Sequence, residues 1–572
     1  MIDAPPLPVA ARRIGPPLPD SNATRRRSPP LSLYLLCGAL IVAAVAFLPA
    51  VGERRADDFM FPRELLLHAT ALALAAAWLF RVRRLRPDLV DLLCLGFALL
   101  GFASAAGATD PWLATRALGL TTSGLVVLWA ARSLARAGWE RALAWSAAAA
   151  AAAVAGTVLL ESYGGVVLSL PGRVPGGALG HRNSAAHLLV LSLPVLMMLA
   201  VRAARAPARW LAAAVIAMAA ASIVLSRSRG AWLAVIALGV LALLMALFRR
   251  RAGAPLLAPG LRAALAGLAV GAAAAVVLPN QLHWSESSPE AETLRHLTDY
   301  SSGSGQGRLV QYARTMRMVA DHPWLGVGPG NWMVEYPRYA APGDPSYRPR
   351  ALVPTNRLPQ GDWTGLAAER GLPALLLLVL AGSVAATRAV RGLGSGSNPA
   401  RSAAAAALLG LLAALGVLGI FDPVLLQPMH AFFIAAAVGA LVPPARARMV
   451  VQVRPWGRAV LAAVLLYALF PPVSLSVRQL WSAALMRGDE GPAALTAAVE
   501  VSPDDYQLQA QLALYWVSHH RCDLARPHVS IARRLFPEAL VPRELAAGCS
   551  GLLPPVPNAP ATADPAGTDR HQ

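Results

Sequence analysis

The chain has 572 residues, of which 56% are hydrophobic and only 14% charged, and its mean hydropathy is +0.50; that excludes a soluble globular protein of this length. A net charge of +20 would suit nucleic acid if the arginines shared one soluble face. They stand between apolar runs instead, where they set membrane orientation, so no nucleic-acid partner is expected. The first 30 residues, Pro-rich and ending near Arg25, Arg26 and Arg27, read as a disordered cytoplasmic arm that is retained rather than cleaved. About 13 apolar windows follow, each long enough to cross a hydrocarbon core of ~30 Å. They lie near 31–51, 64–80, 88–107, 115–131, 142–160, 185–201, 210–226, 231–248, 261–278, 366–387, 402–421, 424–442 and 459–478. The fold class expected is all-α: a polytopic transmembrane helical protein with a transmembrane domain over 31–478, a large loop at about 279–365 and a short helical-repeat C-terminal domain.

Alternate connections carry the arginine excess: Arg81, Arg83, Arg84 and Arg86; Arg132 and Arg136; Arg202, Arg205 and Arg209; Arg388 and Arg391; Arg454 and Arg458. By the positive-inside rule these face the cytoplasm. The N-terminus is then expected in the cytoplasm, while the 226–230 hairpin, the long loop and the C-terminus face outward, which in a bacterium means the periplasmic side of the cytoplasmic (inner) membrane. Cys37 and Cys94 fall inside spans. Cys522 and Cys549 lie in the tail on the oxidising side, where a bridge can survive, although sequence does not supply its geometry.

After about residue 479 the composition turns polar, and Pro503 and Pro537 stand about 34 residues apart, the tetratricopeptide period. Leu508, Leu512 and Tyr515 share one helical face, and Ala525, Val529 and Ala532 continue the pattern in a second helix. The expectation is a helical module over 479–550 whose groove takes a protein partner or steadies the loop; the alternative is two amphipathic helices at the membrane surface. Residues 551–572 read as disordered.

Three polar clusters carry the chemistry. In the first, RVPGGALGHRNSAAHL, Arg182 and Asn183 stand at a helix entry. The second is the hairpin SRSRGAW at 226–232, where Arg229 is an arginine close to the bilayer, costly unless it faces a polar cavity. The third is the long loop, in which GRLVQYARTMRMVADHP places Arg308, Tyr312 and Thr315 on one helical side. DHPWLGVGPGNW then stops that helix, with Gly326, Gly328 and Gly330 forming either a structural turn or a backbone anion site. There is no HExxH, no metal-spaced Cys/His set, no Walker loop and no GxSxG, which argues against a metalloprotease, ATPase or serine hydrolase. No cofactor or metal is expected.

The ordered set GHRN-SAAHL, SRSRGAWLA, GRLVQYARTMRMVADHPWLGVGPGNW and NRLPQGDWTGLAAERGLPALLLL resembles the O-antigen ligase and O-antigen polymerase superfamily, over roughly residues 30–445. That resemblance implies a polytopic glycosyltransferase that takes a glycan from a polyprenyl-diphosphate-linked donor and joins it to a glycan, lipid or protein acceptor in surface polysaccharide or lipopolysaccharide assembly. It implies that Arg229 and Arg308 neutralise the diphosphate, since fixed guanidinium groups can do so without a metal. The family carries an acceptor-activating His shortly before the LAAERGLP-like span, and here that position is Gln360, which cannot act as a base. Asp362 or His430 would then take that role, or Asp362 is a helix cap. The expected catalytic set is Arg229, Arg308 and Asp362, with Arg182, Asn183, Tyr312, Gln360 and His430 binding substrate. Ligase and polymerase both stay open, and the rival classes are a transporter of lipid-linked glycans and a non-catalytic membrane scaffold.

Overall fold

The computed structural model describes residues 28–48, 55–80, 82–251, 259–284, 289–297, 303–393, 398–445, 450–487 and 491–549. Most of the expected N-terminal arm and the whole of the expected 551–572 tail lie outside them. The first nine helices are α1 (Leu31–Val45), α2 (Ala56–Leu79), α3 (Leu89–Ala105), α4 (Pro111–Leu134), α5 (Glu140–Tyr163), α6 (Arg182–Arg202), α7 (Ala206–Ser226), α8 (Arg229–Arg251) and α9 (Pro259–Val277). Within the long loop lie α10 (Pro289–Arg295), α11 (Gly303–Asp321) and α12 (Trp332–Glu335). Then come α13 (Asp362–Leu393), α14 (Pro399–Phe421), α15 (Pro428–Leu441) and α16 (Pro455–Leu485), and the tail holds α17 (Pro492–Val501), α18 (Tyr506–Ser518), α19 (Cys522–Leu535) and α20 (Leu540–Cys549).

Helices α1–α9 and α13–α16 answer to the thirteen apolar windows one for one. Among the described residues nine helical stretches are long and apolar enough to cross a membrane, and one of them, Pro111–Tyr163, contains both α4 and α5; α1, α3 and α15 are shorter apolar helices. A helix is the form in which a single segment satisfies its own backbone in hydrocarbon. The protein is an all-α, polytopic membrane protein.

Four boundaries differ from expectation for local reasons. The window 31–51 is helical only to Val45. The window 424–442 becomes helical only at Pro428, a favoured first helical residue. Helix α13 is bent at Gly371, whose φ of +79° breaks the helical geometry inside the expected span 366–387. Helix α16 runs through the expected domain boundary at 479.

Helix α6 is the axis of the bundle, with 83% of its span window buried, against 11% for α8, which faces outward. Backbones approach closely where side chains are missing: a Cβ on Gly267 or Gly271 of α9 would lie 2.4 or 2.0 Å from the carbonyls of Ala213 and Ala217 on α7, the small-residue packing typical of membrane helices. At the arginine-rich end, Asp88 caps α3 by accepting from Val90 N and Asp91 N. The same carboxylate pairs with Arg132 and, at 2.9 Å, with Arg388. Asp88→Ala should therefore leave two guanidinium groups facing each other and destabilise the bundle by about 3–5 kcal/mol, read as a lower unfolding temperature of the detergent-purified protein.

The tail is docked rather than separate. Tyr506, Ala510, Ala532, Leu535, Phe536 and Ala539 form one apolar cluster with Val334 of the loop, against which Leu113, Met333, Leu352 and Val353 also pack. The Tyr506 hydroxyl donates to Leu352 O at 2.8 Å, and Arg357 of the loop donates to Gln507 Oε1 at 2.9 Å while pairing with Asp57 of α2. Cys522 and Cys549 are joined, tying α19 to α20. Truncation after Arg487 should leave an inserted chain whose loop is cut much faster by protease, because Val334 and its neighbours lose their cover. An unchanged cleavage rate would mean that the docking contributes nothing to the loop.

Candidate functional site

The three polar clusters meet at one end of the bundle. At the α6 entry, His181 Nδ1 accepts from Asn183 N at 3.1 Å and so caps the helix. Burial, then the positive charges of Arg173 and Arg182, push the His181 ring down to about 3, which keeps it neutral and able to accept. Arg182 lies 5.5 Å from the Trp284 ring and Arg227 4.7 Å from the same ring, so one indole gathers two cations from different helices. Arg227, at φ +52°, turns the chain from α7 into α8, and its Nε donates to Thr293 Oγ1 at 2.9 Å. Arg229 Nη1 donates to His296 O at 3.1 Å. The hairpin at 226–230 is thus covered by α10 and the turn after it.

Helix α11 brings Arg308 to the connection between α14 and α15. Its Nε donates to Phe421 O at 3.0 Å, and its Nη2 lies 3.6 Å from Asp422 Oδ2. His187 Nε2, from the buried core of α6, lies 3.5 Å from the same oxygen and 3.3 Å from Ser228 Oγ, and the Asn183 side chain also bonds Asp422. A Cβ added to Gly230 would stand 3.6 Å from His187 Nε2, so the hairpin carrying Arg229 lies beside the His187–Asp422 pair. Burial pushes the Asp422 carboxyl up to about 6, with Arg308 and Asn183 pulling the other way.

Residues 213–379 match the family model described as O-antigen ligase. That stretch is an O-antigen ligase-type segment. The matched segment runs from α7 into α13 and includes Arg229, Arg308, Tyr312, Gln360 and Asp362, whereas His187, Asp422 and His430 lie outside it. No curated protein matches the chain. The matched segment ties the protein in general terms to assembly of surface polysaccharide.

The O-antigen ligase segment closes on α13 through its glycine turn. Gly326, Gly328 and Gly330 all have positive φ, and the amides of Val327 and Gly328 donate to Ala368 O and Glu369 O at 2.9 and 3.0 Å. Those donors are taken, so the structural turn is the form adopted.

Of the residues expected at the site, Arg308 and Asn183 meet at Asp422, and Arg229 stands on the adjoining hairpin. The Tyr312 hydroxyl donates to Gln360 O at 3.0 Å and to Ile420 O, which staples the loop to the end of α14. Gln360 N donates to Gln311 Oε1 at 2.5 Å. Asp362 is 0% exposed; Val424 N donates to its Oδ2 and Leu425 N to both oxygens. It therefore acts as a bracket for the turn that carries Asp422, a use neither base nor cap of its own helix had foreseen. His430 is buried, with Nε2 2.8 Å from Ser184 O. Arg182 is at the rim with Trp284.

Sequence reasoning missed Asp422, His187 and Ser228. The available signals were an acid in the two-residue gap between the windows 402–421 and 424–442, and a histidine inside an apolar span, which marks function by default.

Proposed function

We propose that the chain transfers or polymerises a glycan carried on polyprenyl diphosphate, joining it to a glycan, lipid or protein acceptor at the outer face of a bacterial cytoplasmic membrane. The observation that carries this reading is Arg308, fixed by Phe421 O beside a carboxylate at the ends of three helices, with Arg229 on the hairpin next to it. Cleaving a sugar–diphosphate bond leaves negative charge on the carrier, and guanidinium groups already held in place stabilise it without reorganising. The apolar helices around the site suit a donor whose lipid stays in the bilayer. Glycans from a strain lacking the chain provide the test: lost attachment with normal chain length indicates ligation, short chains indicate polymerisation, and an unchanged glycan profile overturns the reading.

The orientation follows from charge. The end bearing Asp88, Arg132 and Arg388 also carries the arginine-rich connections, which favours the cytoplasm for it and the outer face for the site and tail. Alkaline phosphatase fused after Gly491 should be active and a fluorescent protein there dark; the reverse pattern would invert every side assignment. The tail is proposed as a tetratricopeptide-like module that takes a protein partner. A cleft of about 760 Å³ between α19 and α20, lined by Arg526, Arg533, Arg534 and Arg543, is where such a partner would sit.

A further inference from the structure

We propose that Asp422 takes the proton from the acceptor hydroxyl, with His187 behind it as a positioning residue; this rests on the glycan-transfer reading. The resemblance calls for an acceptor-activating histidine where this chain has Gln360, and an amide cannot act as a base near neutral pH. The structure shows what lies against that position. The Tyr312 hydroxyl bridges Gln360 O to Ile420 O, and a Cβ on Gly361 would meet Ile420 O at 2.9 Å. Asp422 follows Ile420 by two residues, so the carboxylate emerges from the backbone that packs against the vacated position.

The other candidates are closed off. Asp362 and His187 are 0% exposed and His430 1%, Asp362 spends both oxygens on backbone amides, and His430 Nε2 is held by Ser184 O. The Asp422 side chain keeps 17% of its surface. Its Oδ2 is buried and lies 3.5 Å from His187 Nε2 and 3.6 Å from Arg308 Nη2, beyond a good hydrogen bond to either, so the carboxylate keeps an unspent lone pair and meets an incoming O–H through the part of the side chain that stays exposed. His187, wedged between Ser228 Oγ and Asp422, fixes the carboxylate from below. The charged and titratable groups that face Asp422 are Arg308 from α11, His187 from α6 and Asp362 from α13. Burial raises its carboxyl to about 6, which leaves it mostly ionised at neutral pH yet more basic than an exposed carboxylate.

In the step itself, the acceptor oxygen forms a bond to the anomeric carbon while its proton passes to Asp422. The bond from that carbon to the diphosphate oxygen breaks, and the electron pair leaves with the carrier diphosphate, whose charge Arg308 and Arg229 meet. The protonated Asp422 then returns its proton to water.

The test uses full-length protein in membranes, with the lipid-linked glycan that accumulates in cells lacking the chain as donor and inorganic pyrophosphate as a competing occupant. Asp422→Asn should lower kcat by about 100- to 10,000-fold while pyrophosphate inhibits as well as before or better, since Arg308 loses its counter-charge. His187→Asn should reduce kcat less and move the acidic limb of the pH profile, which a merely structural role would not do. Asp422→Asn with near-normal kcat, or with pyrophosphate inhibition lost in parallel, overturns the proposal. If Asp422→Asn does not accumulate, the wild-type profile decides: kcat/KM must fall below about pH 6, and a flat profile from pH 5 to 8 overturns it. An inactive Arg308→Ala beside an active Asp422→Asn removes this inference alone, whereas two active variants remove the transfer reading with it.

Discussion

Arg308→Ala is expected to lower glycan transfer by roughly tenfold or more at normal protein abundance, because each charge-assisted contact to a diphosphate oxygen is worth about 1.5–3 kcal/mol. Arg308→Lys should recover little. The guanidinium uses Nε to hold Phe421 O while Nη2 faces Asp422, and an ammonium cannot keep both arms of that fork. The substitution should also move the pH profile in a defined direction: without the nearby cation the Asp422 carboxyl rises further, and the acidic limb shifts upward. Arg229→Ala should behave in the same way for rate but with a smaller shift of the limb, since Arg308 and not Arg229 is the cation paired with that carboxylate. Wild-type transfer in both alanine variants would leave the membrane scaffold as the better account.

Gly371→Ala should be the most damaging single-methyl change in the membrane domain. The residue has φ +79° and ψ 164°, a region open almost to glycine alone, and its added Cβ would lie 2.1 Å from Trp324 O; such a backbone costs roughly 1–3 kcal/mol for an L residue, and forced overpacking adds about 1–3 kcal/mol. The bend of α13 and the glycine turn would have to part, releasing the clasp formed by Val327 N and Gly328 N. Gly382→Ala on the same helix is the control: nothing lies within 4 Å of its added Cβ, so it should leave abundance and unfolding temperature unchanged. Equal abundance of the two variants would show that the clasp does not hold the loop.

The spans were legible because hydrocarbon imposes a run length on any helix that crosses it, and each of the thirteen windows became a helix. Their ends were less legible. Pro428 delays α15 so that the amides of Val424 and Leu425 can reach Asp362, a partner about sixty positions away that no local pattern reveals. The site was half legible for the same reason. Arg229 and Arg308 stand in motifs, but His187 is embedded in an apolar run and Asp422 in a connection two residues wide. Their meaning comes from a tertiary meeting of α6, α11 and the α14–α15 turn. Spacing indicated the paired helices of the tail, with Leu512, Ala525 and Ala532 buried as their faces predict, yet nothing in that period said that Tyr506 and Phe536 would cover Val334.

That covering cluster sets an order of events during synthesis. The ribosome completes the loop around Val334 well before it reaches Tyr506 and Phe536, and at about 5–20 residues per second the delay is roughly ten to forty seconds. Throughout it, the segment that carries Arg357 toward Asp57 has no Gln507 to hold it. A nascent chain therefore carries Arg308 before the loop around Val334 is covered, and α18 and α19 supply that cover later. Chains stalled or clipped before Tyr506 would be inserted yet leave the loop uncovered, a built-in check that synthesis has passed α18 and α19.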